Sequence, residues 1–176
     1  RSSMAATSNS RSMVVRRVFI SGVMQGSAER TTDSRSFAPQ DYRTRIASVL
    51  AHVLPGVEVI DPLAWAMNEY LPTVLAPGLT QEAAFKDDVI VKDIFRNVVR
   101  LAKECDLVVS NLPTASMGSA VEVWEAKNSN RYVLTISPLR DNWLIRSATD
   151  HNFEDLDDFE RNLLTVLRSL SLLPPR

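Results

Sequence analysis

The sequence predicts an α/β domain built around a mostly parallel sheet. Short runs rich in β-branched residues at 17–23, 57–60, 107–112 and 132–137 have the length and composition of buried strands. Longer segments with apolar residues at helical spacing separate these runs. Strands that alternate with helices form parallel sheets covered by helices on both faces. We therefore expect a flavodoxin-like or Rossmann-like three-layer sandwich with about five strands.

The composition fits one such domain and disfavours several function classes. The chain has 176 residues, 45% of them hydrophobic, and a formal net charge of −1, so it can bury one core of ordinary size. No Lys/Arg run is dense enough to follow a phosphate backbone, and no apolar run approaches the roughly 20 residues that span a membrane. We expect neither a polymeric nucleic acid nor a membrane as a partner.

The N-terminal segment is rich in Ser and Arg, and the first acidic residue of the chain is Glu29. Such a segment is typical of a disordered tail or of an organelle-targeting peptide, and we favour a tail over residues 1–16. The domain is expected at residues 17–176. The single cysteine, Cys105, allows no internal disulfide, so we expect a cytoplasmic protein in which this thiol serves packing.

Strands and helices are predicted in alternation along this domain. Turn signals such as Asp61-Pro62 and Pro113 separate them, because proline lacks the backbone N–H that a strand interior needs. No catalytic role is assigned to His52 or His151. The predicted elements are strand 17–23, helix 41–54, strand 57–60, a connection at 63–80 with a short helix, helix 81–104, strand 107–112, helix 120–128, strand 132–137, helix 142–148 and a terminal helix within 153–173.

Two of these helices carry a clear apolar stripe. On helix 81–104, Asp93 lies next to this stripe. It is either a site residue or an ordinary surface charge that pairs with Lys92 or Arg96. The acidic start of the terminal helix complements the helix dipole and is not expected to bind metal. The stripes consist of Ile94, Phe95, Val98, Val99 and Ala102 in the first helix and of Leu156, Phe159, Leu163, Leu164, Leu167 and Leu170 in the second.

The most informative segment is the strand, loop and helix start at residues 106–122. Gly118 is predicted to allow a tight turn and Ser119 to cap the helix, which places Glu122 in the first helical turn. There the partial positive charge of the helix start favours an ionised carboxylate, at the strand edge where α/β proteins bind ligands. The same residues also fit a capping box, in which Glu122 only satisfies a backbone amide.

This segment resembles the nucleoside 2-deoxyribosyltransferase family, and the similarity covers most of residues 18–146. Val18-Phe-Ile-Ser-Gly22 is similar to the family's first strand and glycine turn, and Asp93, Asp106 and the Gly118-to-Glu122 stretch follow its later pattern. The resemblance implies that Glu122 is a nucleophile and that Asp93 assists at the base or the sugar. It also implies that no metal or organic cofactor is required.

One position within the resemblance favours a nucleotide substrate. The base-exchanging transferases carry Asp six positions before the catalytic Glu, whereas the nucleoside 5'-monophosphate N-glycosidases carry Ser, and this chain has Ser116. A neutral hydroxyl beside a helix N-terminus suits a phosphate. In the first loop, however, the Ser and Arg of the glycosidase pattern Gly-Ser-Ile-Arg-Gly are replaced by Val23 and Gln25.

The resemblance implies a substrate site that a neighbouring subunit completes, and hence a homodimer or larger assembly. In the first subunit, Trp65 and Tyr70 either stack on a nucleobase or belong to the core. The implied binding residues are Gly22, Val23, Met24, Gln25 and Gly26 after the first strand, Ser116, Gly118 and Ser119 at the helix start, and Asn142 and Arg146 from the neighbour.

We expect hydrolysis of the N-glycosidic bond of a nucleoside 5'-monophosphate or a related nucleotide. Three alternatives stay open. A transferase would exchange bases between nucleosides. A phosphoribohydrolase of the cytokinin-activating type is less favoured, because the chain lacks a Pro-Gly-Gly-x-Gly-Thr loop. A non-catalytic nucleotide-binding module would keep the fold without the reaction.

Overall fold

A computed structural model describes residues 14–24 and 40–173. None of the helices in these two stretches is long and apolar enough to cross a membrane. The strands are β1 (Arg17–Gly22), β2 (Glu58–Ile60), β3 (Leu107–Asn111), β4 (Tyr132–Ile136) and β5 (His151–Phe153). The helices are α1 (Asp41–Val53), α2 (Pro62–Trp65), α3 (Leu71–Val74), α4 (Gln81–Ala84), α5 (Asp88–Glu104), α6 (Met117–Asn128), α7 (Trp143–Ala148) and α8 (Leu156–Ser169), with a π-helical segment at Ala66–Tyr70.

The five strands form one parallel sheet in the order β2-β1-β3-β4-β5. This is the flavodoxin-like order, so the predicted fold class is confirmed. The chain leaves β1 toward β2 and then returns to place β3 on the other side of β1. The order of strands therefore reverses between β1 and β3, and α/β proteins bind ligands outside the carboxyl ends of such strands.

Helices cover both faces of the sheet. Successive side chains of each strand point to opposite faces, so each strand packs against both helix layers. Val18 and Ile20 of β1 pack with α1 and α8, whereas Phe19 packs with α5 and α6 on the other face. Ser21 shares the face of Phe19, since it lies two positions further along the strand. The helix layer over Ser21 is therefore the one that contains α6.

The predicted helix 81–104 is broken into α4 and α5. Asp87 ends the interruption, because its carboxylate accepts hydrogen bonds from the backbone N–H groups of Val89 (2.8 Å) and Ile90 (3.1 Å). Asp is a favoured N-cap residue, and this cap restarts the helix. The prediction that Phe95 and Leu164 lie on the buried stripes of their helices was wrong, because these side chains are 44% and 38% exposed.

The fifth strand, β5, lies just before the terminal helix, in a stretch where no strand was predicted. It has only three residues, so its apolar pattern is too short to distinguish from the helix that follows. Phe153 of β5 is fully buried against α8. Asp155 then caps α8 by accepting a hydrogen bond from the N–H of Asp158 at 2.8 Å.

Candidate active site

The loop after β3 ends at Ser116, which is the N-cap of α6. Its Oγ accepts a hydrogen bond from the N–H of Ser119 at 3.4 Å, and the helix starts at Met117. The prediction that Ser119 caps a helix starting at residue 120 was therefore wrong. Gly118 lies within the first helical turn and has no heavy atom within 4 Å of the position of a Cβ. Gly118 therefore leaves open space beside the helix and does not form the predicted tight turn.

Glu122 is the sixth residue of α6 and is 3% exposed. Its Oε2 atom accepts a hydrogen bond from the hydroxyl of Ser21 at the end of β1. In a capping box it would instead accept from the N–H of Ser119, but that N–H donates to Ser116. The capping-box interpretation was therefore wrong, and the carboxylate lies at the switch point between β1 and β3.

Burial governs the charge of this carboxylate. It raises the pKa of Glu122 from 4.5 to about 7, because an ionised group loses hydration inside the protein. The hydrogen bond from Ser21 and the positive charge of Arg43 act in the opposite direction. Glu122 therefore gains and loses its proton near neutral pH, well above the range of an exposed carboxyl group. Carboxyl groups tuned in this way are typical of active sites.

Arg43 of α1 is a buried cation that holds the end of β1. Its Nη1 donates to the carbonyl oxygen of Ile20 at 3.0 Å, and its Nη2 donates to that of Gly22 at 3.3 Å. The carboxylate of Asp61 lies 3.3 Å from Nη1 and balances the charge. These bonds keep a positive charge near Glu122 without exposing it to solvent.

The backbone just after β1 is also held from α1. The carbonyl oxygen of Val23 accepts hydrogen bonds from Nε2 of Gln40 (3.1 Å) and from the hydroxyl of Tyr42 (3.3 Å). Burial raises the pKa of Tyr42 to about 12, so this phenol stays protonated as a donor. A Cβ on Gly22 would lie 2.8 Å from Cζ of Tyr42, which explains why this position is glycine.

The remaining candidates of this loop are only partly described. Met24 is half-buried and is the last described residue before a gap. Gln25 and Gly26 lie outside the described residues. Their proposed contact with a substrate therefore stays a prediction.

Two buried hydroxyl groups beside Glu122 have no hydrogen-bond partner within the described parts of the chain. They belong to Ser110 on β3 and Ser119 on α6. Ser119 is 2% exposed and shares the buried side of α6 with Glu122. Buried polar groups in proteins are nearly always paired, so these two unpaired hydroxyls are unusual and mark this region of the fold.

Asp93 lies apart from this cluster, on the exposed side of α5. Its Oδ2 accepts a hydrogen bond from the hydroxyl of Tyr70, and this bond raises the pKa of Tyr70 to about 12. The ring of Tyr70 stacks on Trp65 with a centroid distance of 5.4 Å. A groove of about 390 Å³ is lined by Tyr70, Val74, Val89, Ile90, Lys92, Asp93 and Arg96.

The helix directions nevertheless place Asp93 on the same side of the molecule as Glu122. Both α5 and α6 precede a strand of the parallel sheet, so both begin near its carboxyl edge. Asp93 and Glu122 are each the sixth residue of their helix and lie at similar depth below that edge. No described contact joins their carboxylates, so the groove and the buried cluster are neighbouring features.

Asn142 and Arg146 are held by α7, near the far end of the sheet. Asn142 is the N-cap, and its Oδ1 accepts a hydrogen bond from the N–H of Leu144 at 2.9 Å. Both side chains are exposed, and α7 follows β4, which is two strands away from β1. The structure does not bring them into contact with Glu122 within one subunit.

Sequence reasoning missed three residues of this site, namely Ser21, Arg43 and Ser110. Ser21 and Ser110 occupy equivalent positions near the ends of two apolar strands, and a polar residue there was a visible signal. Arg43 lies three positions before Ile46 and so falls on the apolar stripe of α1, which also marks an unusual charge. The hydrogen bonds that these residues make had no sequence signal.

The described residues contain no group of three or more His, Cys, Asp and Glu side chains arranged to hold a metal ion. The polar groups around Glu122 are hydroxyls, one guanidinium and backbone carbonyls. The hydroxyls can donate hydrogen bonds to a carboxylate or to an oxygen-rich ligand, whereas the carbonyls accept hydrogen bonds from the guanidinium.

No protein-family model and no curated protein matches this sequence. Solved structures do match. The 2-deoxyribosyltransferase of the psychrotolerant bacterium Bacillus psychrosaccharolyticus is similar over 85% of this chain and 95% of that chain, with 17% identity and a TM-score of 0.56. A conserved protein from Enterococcus faecalis V583 is similar over 89% and 99%, with 13% identity and a TM-score of 0.54. A CMP N-glycosidase from Clostridium botulinum aligns over 84% and 98%, with 14% identity and a TM-score of 0.42. The chain therefore shares the fold of the 2-deoxyribosyltransferase.

Proposed function

We propose that the protein hydrolyses the N-glycosidic bond of a nucleoside 5'-monophosphate or a related nucleotide. The observation that carries this proposal is the buried carboxylate of Glu122, held by Ser21 at the switch point of the sheet. Its position also agrees with the catalytic Glu of the pattern that residues 93–122 resemble. The shared fold of a 2-deoxyribosyltransferase supports an enzyme that acts on nucleosides or nucleotides.

The reaction begins with Glu122 in its ionised form. One carboxylate oxygen forms a bond to the anomeric carbon of the sugar while the bond from that carbon to the base nitrogen breaks. The base leaves with the bonding electron pair and takes up a proton. Water then adds to the anomeric carbon, loses a proton to solvent and releases Glu122 as a carboxylate. The products are a free base and a sugar 5'-phosphate.

Asp93 is the proposed partner of the departing base. Its carboxylate lies in the groove with Tyr70, whose hydroxyl donates to it and fixes its orientation. A heterocyclic base offers N–H groups that such a carboxylate accepts and a flat face that an aromatic groove contacts. In this arrangement Asp93 orients the base and aids its protonation from solvent.

The start of α6 is the proposed site for the 5'-phosphate. The Ser116 oxygen accepts a hydrogen bond from a backbone N–H, yet its own hydroxyl proton remains available to a phosphate oxygen. Ser119 adds an unpaired hydroxyl, and the space beside Gly118 lets a ligand approach the backbone. The helix dipole favours an anion at this end.

A homodimer or larger assembly is part of the proposal, with Asn142 and Arg146 reaching the site of a neighbouring subunit. The outer layer of helices exposes large apolar side chains, including Met117 (91% exposed) and Trp143 (84% exposed). Trp143 lies between Asn142 and the rest of α7, so a contact there would bring Asn142 to the neighbour. Exposed apolar residues of this size are typical of protein contact sites.

Base exchange is the second candidate function. The similar fold of the Bacillus psychrosaccharolyticus 2-deoxyribosyltransferase favours it. The same glycosyl ester on Glu122 would then be attacked by a second base instead of water. Ser116 argues for a monophosphate as the substrate, because a carboxylate at this position would repel the phosphate and a hydroxyl does not.

The first experiment measures free base released from ribo- and deoxyribonucleosides and from their 5'-monophosphates, separated by chromatography. We expect release from monophosphates that disappears in Glu122→Ala. Glu125→Gln is the matched control. Glu125 lies on the same helix, but its carboxylate forms an ion pair with Lys103 (3.2 Å) and does not contact the site. This variant should retain wild-type activity.

Addition of a free acceptor base separates the two candidate reactions. A new nucleoside or nucleotide product would establish exchange, whereas unchanged hydrolysis would exclude it. Release of no base from any substrate, together with tight nucleotide binding, would contradict catalysis and indicate a nucleotide-binding module.

A further inference from the structure

Ser21 is a hydroxyl residue at the end of an otherwise apolar strand. It is fully buried, and it lies on the face of the sheet that α6 covers. A buried hydroxyl loses hydration, so it is retained at little cost only where it has a hydrogen-bond partner. The partner of Ser21 is Oε2 of Glu122.

The neighbouring strand offers a direct comparison within the same sheet. Ser110 of β3 is the register partner of Ser21, so the two side chains lie on the same face about one strand spacing apart, roughly 4.8 Å. Both hydroxyls are fully buried, yet Ser110 has no hydrogen-bond partner in the described structure. Glu122 is therefore bound to β1 and not to β3, although a hydroxyl is present on each strand.

Few charged groups surround this hydrogen bond. From α1, the Arg43 cation attracts the Glu122 carboxylate, and the Tyr42 phenol stays neutral. From β3 and β4 the groups on the same face are the neutral hydroxyls of Ser110 and Thr135. The side of α5 and α7 that packs on this layer is apolar and consists of Ile94, Val98, Leu101, Ala102, Leu144 and Ala148.

We propose that Ser21 is a positioning residue that anchors one oxygen of Glu122 to β1 and thereby sets the direction in which the other oxygen attacks. This inference rests on the proposed role of Glu122 as a nucleophile. When Oε1 bonds to the anomeric carbon, Oε2 becomes the carbonyl oxygen of the ester, and Ser21 still donates to it. The proton of Ser21 stays on its hydroxyl throughout.

The anchor also favours the reactive form of Glu122. A hydrogen bond donated to a carboxylate is stronger than one donated to the neutral acid, so it favours ionisation. Removing it should raise the pKa of Glu122 further and reduce the ionised fraction at neutral pH. Removal of the Ser110 hydroxyl should have no such effect, because that hydroxyl does not contact the carboxylate.

The test compares Ser21→Ala with Ser110→Ala, which remove the same atom at the same depth on adjacent strands. The pKa of Glu122 is measured by ¹³C NMR of side-chain carboxyl groups, with Glu122→Gln to assign the signal. We expect an upward shift of about one pKa unit in Ser21→Ala, the usual size for a lost charged hydrogen bond, and none in Ser110→Ala. Equal shifts in both variants, or none in Ser21→Ala, would overturn the proposal.

The pH dependence of base release is the second measurement. With a shift of about one unit, the ionised fraction of Glu122 in Ser21→Ala falls about fivefold at pH 7, so the rate should be lost more strongly at pH 7 than at pH 9. The loss that remains at pH 9 measures the lost direction of attack, and an equal loss at both pH values would contradict the effect of Ser21 on ionisation. The NMR titration needs no turnover, so it decides whether Ser21 anchors the Glu122 carboxylate even if the wild type releases no base and the proposed function fails.

Ser21→Cys covers the case in which Ser21→Ala does not fold. A thiol is of similar size and is a weaker hydrogen-bond donor, so we expect a smaller upward shift of the Glu122 pKa than in the alanine variant. A shift absent in a folded Ser21→Cys, judged by circular dichroism, would count against the anchor.

Discussion

At the amino edge of the sheet, Asp106 and Asp150 use their carboxylates to bind backbone. Asp106 precedes β3 and accepts hydrogen bonds from the N–H groups of Arg16 (2.8 Å) and Arg17 (3.0 Å). Asp150 precedes β5 and accepts from the N–H of Val133 at 2.8 Å, while Lys127 pairs with its other oxygen. Each carboxylate thus joins the starts of two neighbouring strands.

At the carboxyl edge the polar groups are used in the opposite way. Glu122 is buried with its pKa raised to about 7, and the hydroxyls of Ser110 and Ser119 have no partner among the described residues. The amino edge satisfies its polar groups within the protein and gains stability. At the carboxyl edge these three groups are less well satisfied, which lowers stability, and such poorly satisfied buried groups are typical of functional sites.

The largest effect expected from this comparison is a gain in stability when Glu122 is neutralised. Because the folded-state pKa is raised, Glu122 disfavours folding as pH rises from 4.5 through about 7. Glu122→Gln should therefore increase the free energy of unfolding at pH 8 by roughly 3 kcal/mol, because each unit of the pKa shift corresponds to about 1.36 kcal/mol. Urea unfolding measures this difference.

The same comparison at pH 4 is the internal control, because Glu122 is then protonated in both the folded and unfolded states. The two proteins should have nearly the same stability there. A gain that is equal at pH 4 and pH 8 would contradict the raised pKa.

The matched substitution at the amino edge should have the opposite sign. Asp106→Asn replaces two hydrogen bonds to a charged oxygen by weaker neutral ones, so we expect a loss of about 2 kcal/mol in the free energy of unfolding. Base release by the folded protein should be unchanged. Glu104→Gln, which weakens only an exposed pair with Arg100, should change stability by less than about 1 kcal/mol.

Two glycines at the carboxyl edge differ in the space around them. Gly22→Ala should destabilise by about 1–2 kcal/mol, because its Cβ would meet the ring of Tyr42, which is held by its bond to Val23. Gly118→Ala should stabilise α6 by up to about 1 kcal/mol, because alanine favours helix and nothing obstructs it. Thermal melting compares the two variants, and equal losses would contradict the difference in packing.

The smallest effect on stability is expected at Ser119. Ser119→Ala removes a buried hydroxyl without a partner, so the free energy of unfolding should change by less than about 0.5 kcal/mol. Base release should nevertheless fall about tenfold, through a higher KM, if the hydroxyl holds a substrate oxygen. Ser116→Ala should instead lose about 1 kcal/mol of stability, because it removes the cap of α6. Unchanged kinetics in Ser119→Ala would remove this residue from the site.

The sequence predicted the fold class, because strands and helices depend on local patterns, but it placed Glu122 in the first turn of a helix in which it is the sixth residue. Four of the five strands are apolar runs with clear turn signals, and parallel pairing follows from the helices between them. The short strand β5 and the break before α5 were missed. Three residues of strand have no distinct period, and the cap at Asp87 interrupts a segment that is otherwise helical in composition.

The chemistry around Glu122 was less predictable, because it depends on contacts between distant residues. The bond to Ser21 joins residues 101 positions apart, and no local pattern encodes it. The helix start was misplaced by three residues, since both Ser116 and Ser119 are suitable caps and only the tertiary fold chooses between them. The choice of Ser116 leaves the Ser119 hydroxyl without a partner.

The hydrogen bonds from Gln40, Tyr42 and Arg43 to the end of β1 hold the two ends of the intervening stretch together. The fifteen residues 25–39 therefore connect two points that are already fixed in space. The described contacts that fix these two points come from residues 40–43, so the precision of the strand end that carries Ser21 is inherited from the first turn of α1.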